Sequence, residues 1–180
     1  MTSLFRAMKL FFAALGIALF TGVASADPID FDQWYTFGFF DVGTPLVAGA
    51  GFILGQRSLA IGDPPWTFDC PASHCKLAVT DGFLAVDQFE LFDFGVSLGL
   101  TSAPSGDAQH SCGNDEHACI TDPQMSHGVF FLAQGPHSIT GLHVLGIPGA
   151  GFLIVHVPEP STVLLIGLGL LAFGVARRRA

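Results

Sequence analysis

Hydrophobic residues follow different patterns at the ends of the chain and in its middle. Two uninterrupted apolar runs, residues 10–23 and 163–176, lie near the two ends. Between them, in residues 27–157, short aromatic or β-branched runs alternate with turn sequences that contain Gly or Pro. Short runs bounded by turn residues predict β-strands, and no segment leaves room for a long amphipathic helix. The middle of the chain therefore predicts an all-β domain.

Eight strand segments are predicted in this domain. They are residues 31–40, 51–54, 76–80, 88–92, 96–101, 129–133, 137–144 and 151–157. Turn signals such as Asp81-Gly82 and Ile147-Pro148-Gly149 separate them. Eight short strands in 131 residues are typical of an antiparallel two-sheet sandwich of the jelly-roll type. We therefore expect one sandwich domain at residues 27–157, large enough to bury a single core.

The charge of the middle segment narrows the choice of partners. Residues 27–157 contain 14 acidic side chains against two basic ones, Arg57 and Lys76, which gives a formal charge of −12. A nucleic-acid-binding domain needs a basic surface to contact phosphates. We therefore expect no nucleic-acid partner.

The N-terminal run has the three parts of a secretory signal peptide. Arg6 and Lys9 precede the apolar residues 10–23, and Ala24 and Ala26 supply small side chains at positions −3 and −1. We expect signal peptidase to cleave after Ala26, so that residues 1–26 are a signal peptide read by the secretion machinery. An uncleaved N-terminal anchor is the alternative.

The C-terminal run lies between two polar motifs. Pro158-Glu159-Pro160 precedes it, and Arg177, Arg178 and Arg179 follow it. Residues 161–176 would span about 24 Å as a helix, a little under the ~30 Å hydrocarbon core of a bilayer. This pattern predicts a transmembrane helix, and the arginine cluster predicts that its far end is cytoplasmic and the middle domain outside.

These three parts, in this order, resemble a PEP-CTERM sorting domain over residues 157–180. The resemblance implies a Gram-negative bacterium and an exosortase, a membrane-embedded cysteine protease, as the processing partner. It implies a precursor exported across the inner membrane, held there by the helix, and then delivered to the cell surface or extracellular matrix. Proteins with such tails are associated with exopolysaccharide production and biofilm.

Four cysteines in an exported domain predict disulfides. Cys70 and Cys75 enclose one short polar segment, and Cys112 and Cys119 enclose another. Three connectivities are possible, and the short spacings favour the two local pairs. We expect these pairs to staple two loops rather than to hold the core.

Metal sites are the alternative for the cysteines and for the acidic residues. His74 and His117 lie inside the two cysteine segments and could join them at zinc, although the cysteine spacing is unusual for zinc. Asp81, Asp87, Glu90 and Asp93 could bind calcium, but no calcium-loop spacing is present and a solvated acidic face is the plainer interpretation. We expect no cofactor and no resident metal.

One hydrolase pattern occurs. Gly95-Val96-Ser97-Leu98-Gly99 has the Gly-x-Ser-x-Gly form, which needs the serine on a sharp turn between a strand and a helix. The residues after Gly99 include Pro104 and Gly106 and do not predict a helix. A small secreted serine hydrolase that uses Ser97 therefore stays an alternative only.

The leading hypothesis is a non-enzymatic, exosortase-sorted protein that binds or organises extracellular polysaccharide. Trp34, Tyr35 and Trp66 are the candidates for stacking on sugar rings, although large aromatic side chains more often belong to a core. A purely structural, cation-crosslinked matrix component is a further alternative.

Overall fold

The computed structural model describes residues 27–49 and 60–158. The predicted signal peptide, the predicted strand at 51–54 and the predicted transmembrane helix lie outside these residues, as do Glu159, Pro160 and the three arginines. Within the described ranges, no helix is long and apolar enough to cross a membrane.

The described part consists of eleven strands and one short helix. The strands are β1 (Asp27–Pro28), β2 (Tyr35–Phe39), β3 (Val47–Ala48), β4 (Ala60–Ile61), β5 (Trp66–Asp81), β6 (Phe83–Leu84), β7 (Gln88–Asp93), β8 (Val96–Leu100), β9 (Ser111–Gly113), β10 (His127–Leu145) and β11 (Gly149–His156). The helix, α1, is Glu116–Thr121.

Nine strands form one sheet. Seven of them lie side by side in the order β3-β2-β11-β5-β10-β7-β8, and the other two, β1 and β4, pair beside this path. Neighbours along this order are antiparallel, while β1 and β4 pair in parallel with β5 and β2. Strands β6 and β9 form a separate two-stranded sheet. The prediction of a mainly antiparallel β-fold is confirmed. In place of two large facing sheets, however, one curled sheet supplies both sides of the core.

The curl follows from two strands that are much longer than predicted. Strand β5 has 16 residues and β10 has 19, so each runs through both halves of the sheet. Gly135-Pro136 reads as a turn in the sequence, yet β10 continues through it with Gly135 at a φ of 120°. The partner strand bulges here, because Ala133 pairs with His74 while Gly135 pairs with Cys70.

Aromatic contacts show how far the sheet curls. Three strands separate β2 from β7 in the sheet order, but Phe37 and Phe89 meet edge to face with ring centroids 5.2 Å apart. The centroid of Phe39 lies 4.9 Å from that of Phe89. The loop after β2 also donates the Leu46 N–H to the Gly141 carbonyl of β10. The two arms of the sheet thus enclose a common aromatic core.

Helix α1 covers part of the outer face of the sheet. The Asp115 carboxylate caps it by accepting the N–H groups of His117 and Ala118, both at 3.0 Å. Beneath the helix, Cys119 belongs to a second apolar cluster, together with side chains of β5, of β11 and of the segment just before β2. Its buried members are Trp34, Ala78, Cys119, Phe152 and Ile154. The adjacent row of outward-facing side chains is left in solvent.

Candidate functional site

The three aromatic residues that sequence suggested for sugar stacking are buried. The Trp66 indole N–H donates to the Gly62 carbonyl at 3.0 Å, and the Tyr35 hydroxyl accepts the Asp30 N–H at 2.8 Å. Trp34 packs beneath α1, edge to face with His117. All three are core side chains, as is more usual for large aromatic residues, so they are not the surface on which a sugar could stack.

A different aromatic residue, Phe131, is exposed on a flat part of the sheet. It lies inside strand β10, and 67% of its surface is accessible. Its register partner on β5 is Lys76, whose Nζ lies 5.9 Å from the centroid of the phenyl ring. The His74 ring lies beside it, with centroids 6.2 Å apart. A single exposed apolar ring is common on protein surfaces, so it is the combination of Phe131 with Lys76 and His74 that makes this position a candidate contact surface.

The same row continues across the next strand. Lys76 on β5 pairs with His156 on β11, and the His156 Nδ1 lies 2.6 Å from an oxygen of Asp32. We call Phe131, Lys76, His156 and Asp32 the Phe131 row. It places one aromatic ring, one ammonium group and a histidine–carboxylate pair in a line on the outer face.

Electrostatics make this row distinctive in an acidic protein. Lys76 is the one Lys or Arg within residues 27–49 and 60–158.

The sequence does contain a signal for the row: consecutive strand residues point to opposite faces. Phe130 and Phe131 therefore cannot both enter one core. Which of the two faces outward depends on the register of β10, which the sequence does not reveal.

A second constellation is a buried cluster of Asp81, Asp87 and His143. All three side chains are almost completely buried. One Asp81 oxygen accepts the Gly82 N–H at 2.8 Å and the other accepts the Asp87 N–H at 3.2 Å. The Asp87 Oδ1 lies 3.2 Å from the His143 Nε2, and the His143 Nδ1 donates to a backbone carbonyl, that of Phe40, at 2.8 Å.

Burial raises the pKa of both carboxyl groups in this cluster, those of Asp81 and Asp87. Desolvation, together with the nearby charge of Asp87, raises the pKa of Asp81 from 3.8 to about 9. Desolvation also raises the pKa of Asp87, to about 6, against the opposing effect of the Ile147 N–H and of His143. Asp81 is therefore a neutral acid at neutral pH, and Asp87 is its ionisable neighbour.

The four cysteines form two disulfides with the local pairing expected from the sequence. Cys70 bonds to Cys75 and Cys112 to Cys119, each with an S–S distance of 2.06 Å. This bonding removes the thiolates that a zinc site would require. Cys70 and Cys75 are fully buried members of the main core and bridge the bulge of β5. The expectation that both disulfides only staple loops is wrong for this pair.

A comparison with protein families identifies a known motif at the C-terminal end of the chain. Residues 156–179 match the PEP-CTERM protein-sorting motif. The chain carries a PEP-CTERM sorting signal. Such a motif implies processing by an exosortase and an exported, surface-directed protein, and no family matches the rest of the chain. No curated protein and no solved structure matches it.

The PEP-CTERM motif begins where the sheet ends. His156 is both the first matched residue and the last residue of β11. Val157 and Pro158 follow without strand pairing, and proline lacks the N–H that a further ladder bond would need. Strand β11 therefore ends where the sorting signal begins, two residues before Pro158, and Val157 still packs against the main core.

The structure disperses the acidic residues considered for calcium. Asp81 and Asp87 are buried, Glu90 accepts the Ser97 hydroxyl at 2.6 Å, and Asp93 lies 2.7 Å from His137 Nδ1. Within the described residues, no three His, Cys, Asp or Glu side chains are arranged to hold a metal ion.

Ser97 of this PEP-CTERM protein does not lie on a nucleophile elbow. It is the second residue of β8, a strand that returns from β7 through a tight hairpin, and no helix follows it. Its hydroxyl donates to Glu90 rather than to a histidine. The geometry that the hydrolase alternative requires is therefore not formed at this serine.

Asp81 should make the stability of the domain fall as pH rises. Below pH 4 the folded and unfolded chains both hold this proton. Between about pH 4 and 9 the unfolded chain releases it while the folded chain keeps it, so each pH unit removes about 1.4 kcal/mol of this stabilisation. Asp87 acts in the same direction between about pH 4 and 6.

Chemical denaturation of wild type and Asp81→Asn from pH 5 to 8 measures this effect. The asparagine keeps the shape but does not titrate. It also turns an NH₂ group toward a backbone N–H, so the variant should be less stable at pH 5. Its free energy of unfolding should nevertheless depend on pH less steeply than that of wild type, by on the order of 1 kcal/mol per unit. Parallel curves would show that Asp81 is ionised in the folded protein.

Proposed function

We propose that this PEP-CTERM protein is a non-enzymatic surface or matrix protein that binds acidic polysaccharide through the Phe131 row. The observation that carries the proposal is Phe131 itself, a large apolar ring held in solvent by a rigid strand. A surface aromatic in the middle of a long strand loses little conformational freedom when a ligand covers it. The row would hold matrix polysaccharide at the cell surface or in a biofilm.

The chemistry of the row favours a sugar with a carboxylate. The apolar C–H face of a pyranose ring can cover the phenyl ring of Phe131 and remove it from water. Lys76 lies close enough to meet a carboxylate on the same or the next sugar. His156 and Asp32 offer a donor and an acceptor to hydroxyl groups along the row. A linear polysaccharide that repeats these features would match the linear arrangement of the side chains.

The remaining charge of the domain limits where such a ligand can lie. Residues 27–157 carry a formal charge of −12, so an anionic chain is repelled from most of the surface. Lys76 is the exception within the described ranges, and it lies in the row. We therefore expect binding that weakens as salt screens the contact with Lys76.

Replacing Phe131 by alanine should weaken binding to a uronate-containing polysaccharide roughly tenfold. Loss of the covered ring costs on the order of 1.4 kcal/mol, which corresponds to that factor. The matched control is Phe94→Ala, which removes a ring of nearly equal exposure, 65%, from the β7–β8 hairpin. Affinity electrophoresis or calorimetry on the mature exported protein measures both variants.

A Lys76→Gln variant separates the two parts of the contact. It should reduce binding to the acidic polysaccharide and its salt dependence, while binding to a neutral polysaccharide changes little. Equal binding by wild type and Phe131→Ala, or equal losses in Phe131→Ala and Phe94→Ala, would refute the assignment of the row.

A further inference from the structure

A cavity of about 170 Å³ lies apart from the Phe131 row. It opens between the connection from β5 to β7 and the turn that joins β10 to β11. Phe83 and Leu84 of β6 form one wall, and Ile147 and Pro148 of the turn form the other. Asp87 also lines the cavity. The space is apolar apart from this carboxyl group and a few backbone groups.

The carboxyl group of Asp87 is held in place through one of its two oxygens, Oδ1. Asp87 is only 2% exposed. Its Oδ1 accepts the Ile147 N–H at 2.7 Å and lies beside His143. Its Oδ2 accepts no hydrogen bond from any residue in the described ranges. At the wall of an open cavity, a carboxylate oxygen that accepts no hydrogen bond from the described residues can accept one from a ligand.

The backbone around the cavity is shaped for this arrangement. Gly146 has a φ of 119°, and a Cβ there would overlap the carboxylate of Asp87, so only glycine lets the turn close over it. Phe83 has a φ of 65°, which is a rare conformation for a bulky residue. Such a conformation costs on the order of 1–3 kcal/mol and is concentrated at ligand sites. Here it belongs to the residue that forms one of the apolar walls.

We propose that this cavity binds a small organic ammonium ion, with its apolar body between Phe83 and Pro148 and its N–H group on the free oxygen of Asp87. The volume is close to that of an engineered cavity of about 150 Å³ that accepts benzene. A carboxylate at the wall excludes anions, and apolar walls disfavour a polyhydroxylated sugar. His143 does not compete for the free oxygen, because its contact is with Oδ1. This site is independent of the polysaccharide-binding row.

Benzylamine is a suitable probe, because it joins an ammonium group to a ring of the right size. Titration of the mature ¹⁵N-labelled protein near neutral pH should shift the amide signals of Ile147 and Gly149. Benzyl alcohol, its neutral analogue, should bind at least tenfold more weakly, and benzoate should not bind. Shifts elsewhere without a shift at Ile147, or equal affinity for the amine and the alcohol, would overturn the proposal.

Two variants identify the groups involved without depending on one fragile substitution. Phe83→Gly suits the positive φ, so the fold should be retained, but the lost wall should weaken benzylamine binding at least fivefold. Asp87→Asn should remove the preference for the amine over the alcohol. Phe131→Ala is the control and should bind benzylamine like wild type. Unchanged binding in Phe83→Gly would place the amine outside this cavity.

Discussion

Replacing Pro158, Glu159 and Pro160 together by alanine should abolish tail processing and leave the uncleaved precursor in the membrane. The last described strand ends at His156 and Pro158 lies outside it, so we expect the substitutions to leave the sheet intact. From the sequence, two prolines favour an extended segment and disfavour a helix that starts earlier. Alanines remove both the motif and this stiffness. We expect wild type to be processed and the variant to retain its full mass.

Fractionation and intact-mass measurement in a host that carries an exosortase compare the two proteins. The matched control replaces Ser161 and Thr162 by alanine, which changes neighbouring residues of the matched segment but keeps Pro-Glu-Pro. Removal of residues 158–180 should instead release a folded, exported domain. If the triple-alanine variant is processed and localised like wild type, recognition of the tail does not depend on Pro-Glu-Pro.

Removing the Cys70–Cys75 disulfide should destabilise the domain more than removing Cys112–Cys119. The loops are short and similar, so the chain-entropy contribution of each bond is about 2 kcal/mol. Cys70 and Cys75 are in addition fully buried in the main core, and truncating both to alanine leaves unfilled volume. We expect a total loss of about 3–4 kcal/mol for this pair, or roughly 10 °C in melting temperature.

The Cys112→Ala, Cys119→Ala double variant is the matched control for this measurement. Its disulfide ties β9 to α1 at the edge of the fold, with Cys112 only half-buried, so we expect a loss of about 2 kcal/mol. Thermal and denaturant unfolding of both variants decide the order. If the two variants lose equal stability, the burial of Cys70 and Cys75 in the main core adds nothing to the contribution of their disulfide.

The sequence predicts the fold class well because strand patterns are local. Seven of the eight predicted segments overlap observed strands, and the eighth, 51–54, lies outside the described residues. The turn at Ile147-Pro148-Gly149 joins β10 to β11 as expected. Whether a strand continues is not a local property. Gly135-Pro136 is a typical turn sequence, yet both residues pair with β5, so β10 continues through them. The curl of a single sheet follows from these long strands and could not be read from separate short ones.

The candidate sites could be predicted only in part, because they depend on which distant segments of the chain pack together. The local disulfide pairing follows from short spacing in an exported chain, but the burial of Cys70 follows from its place in β5. Asp81 and Asp87 read as part of a solvated acidic face. They become buried partners because the Asp81-Gly82 turn folds back over Asp87 and the β10–β11 turn covers it. His143 joins them from 56 residues away.

The most direct measurement is to map where an acidic oligosaccharide contacts the protein. Titration of the mature ¹⁵N-labelled protein with a uronate oligosaccharide should shift signals of Lys76, Phe131 and His156 together. In Phe131→Ala these shifts should require roughly tenfold more oligosaccharide, whereas Phe94→Ala should titrate like wild type. Shifts confined to other surfaces, or no shifts at concentrations that saturate binding to the intact polysaccharide, would contradict the assignment of the Phe131 row as the polysaccharide-binding surface.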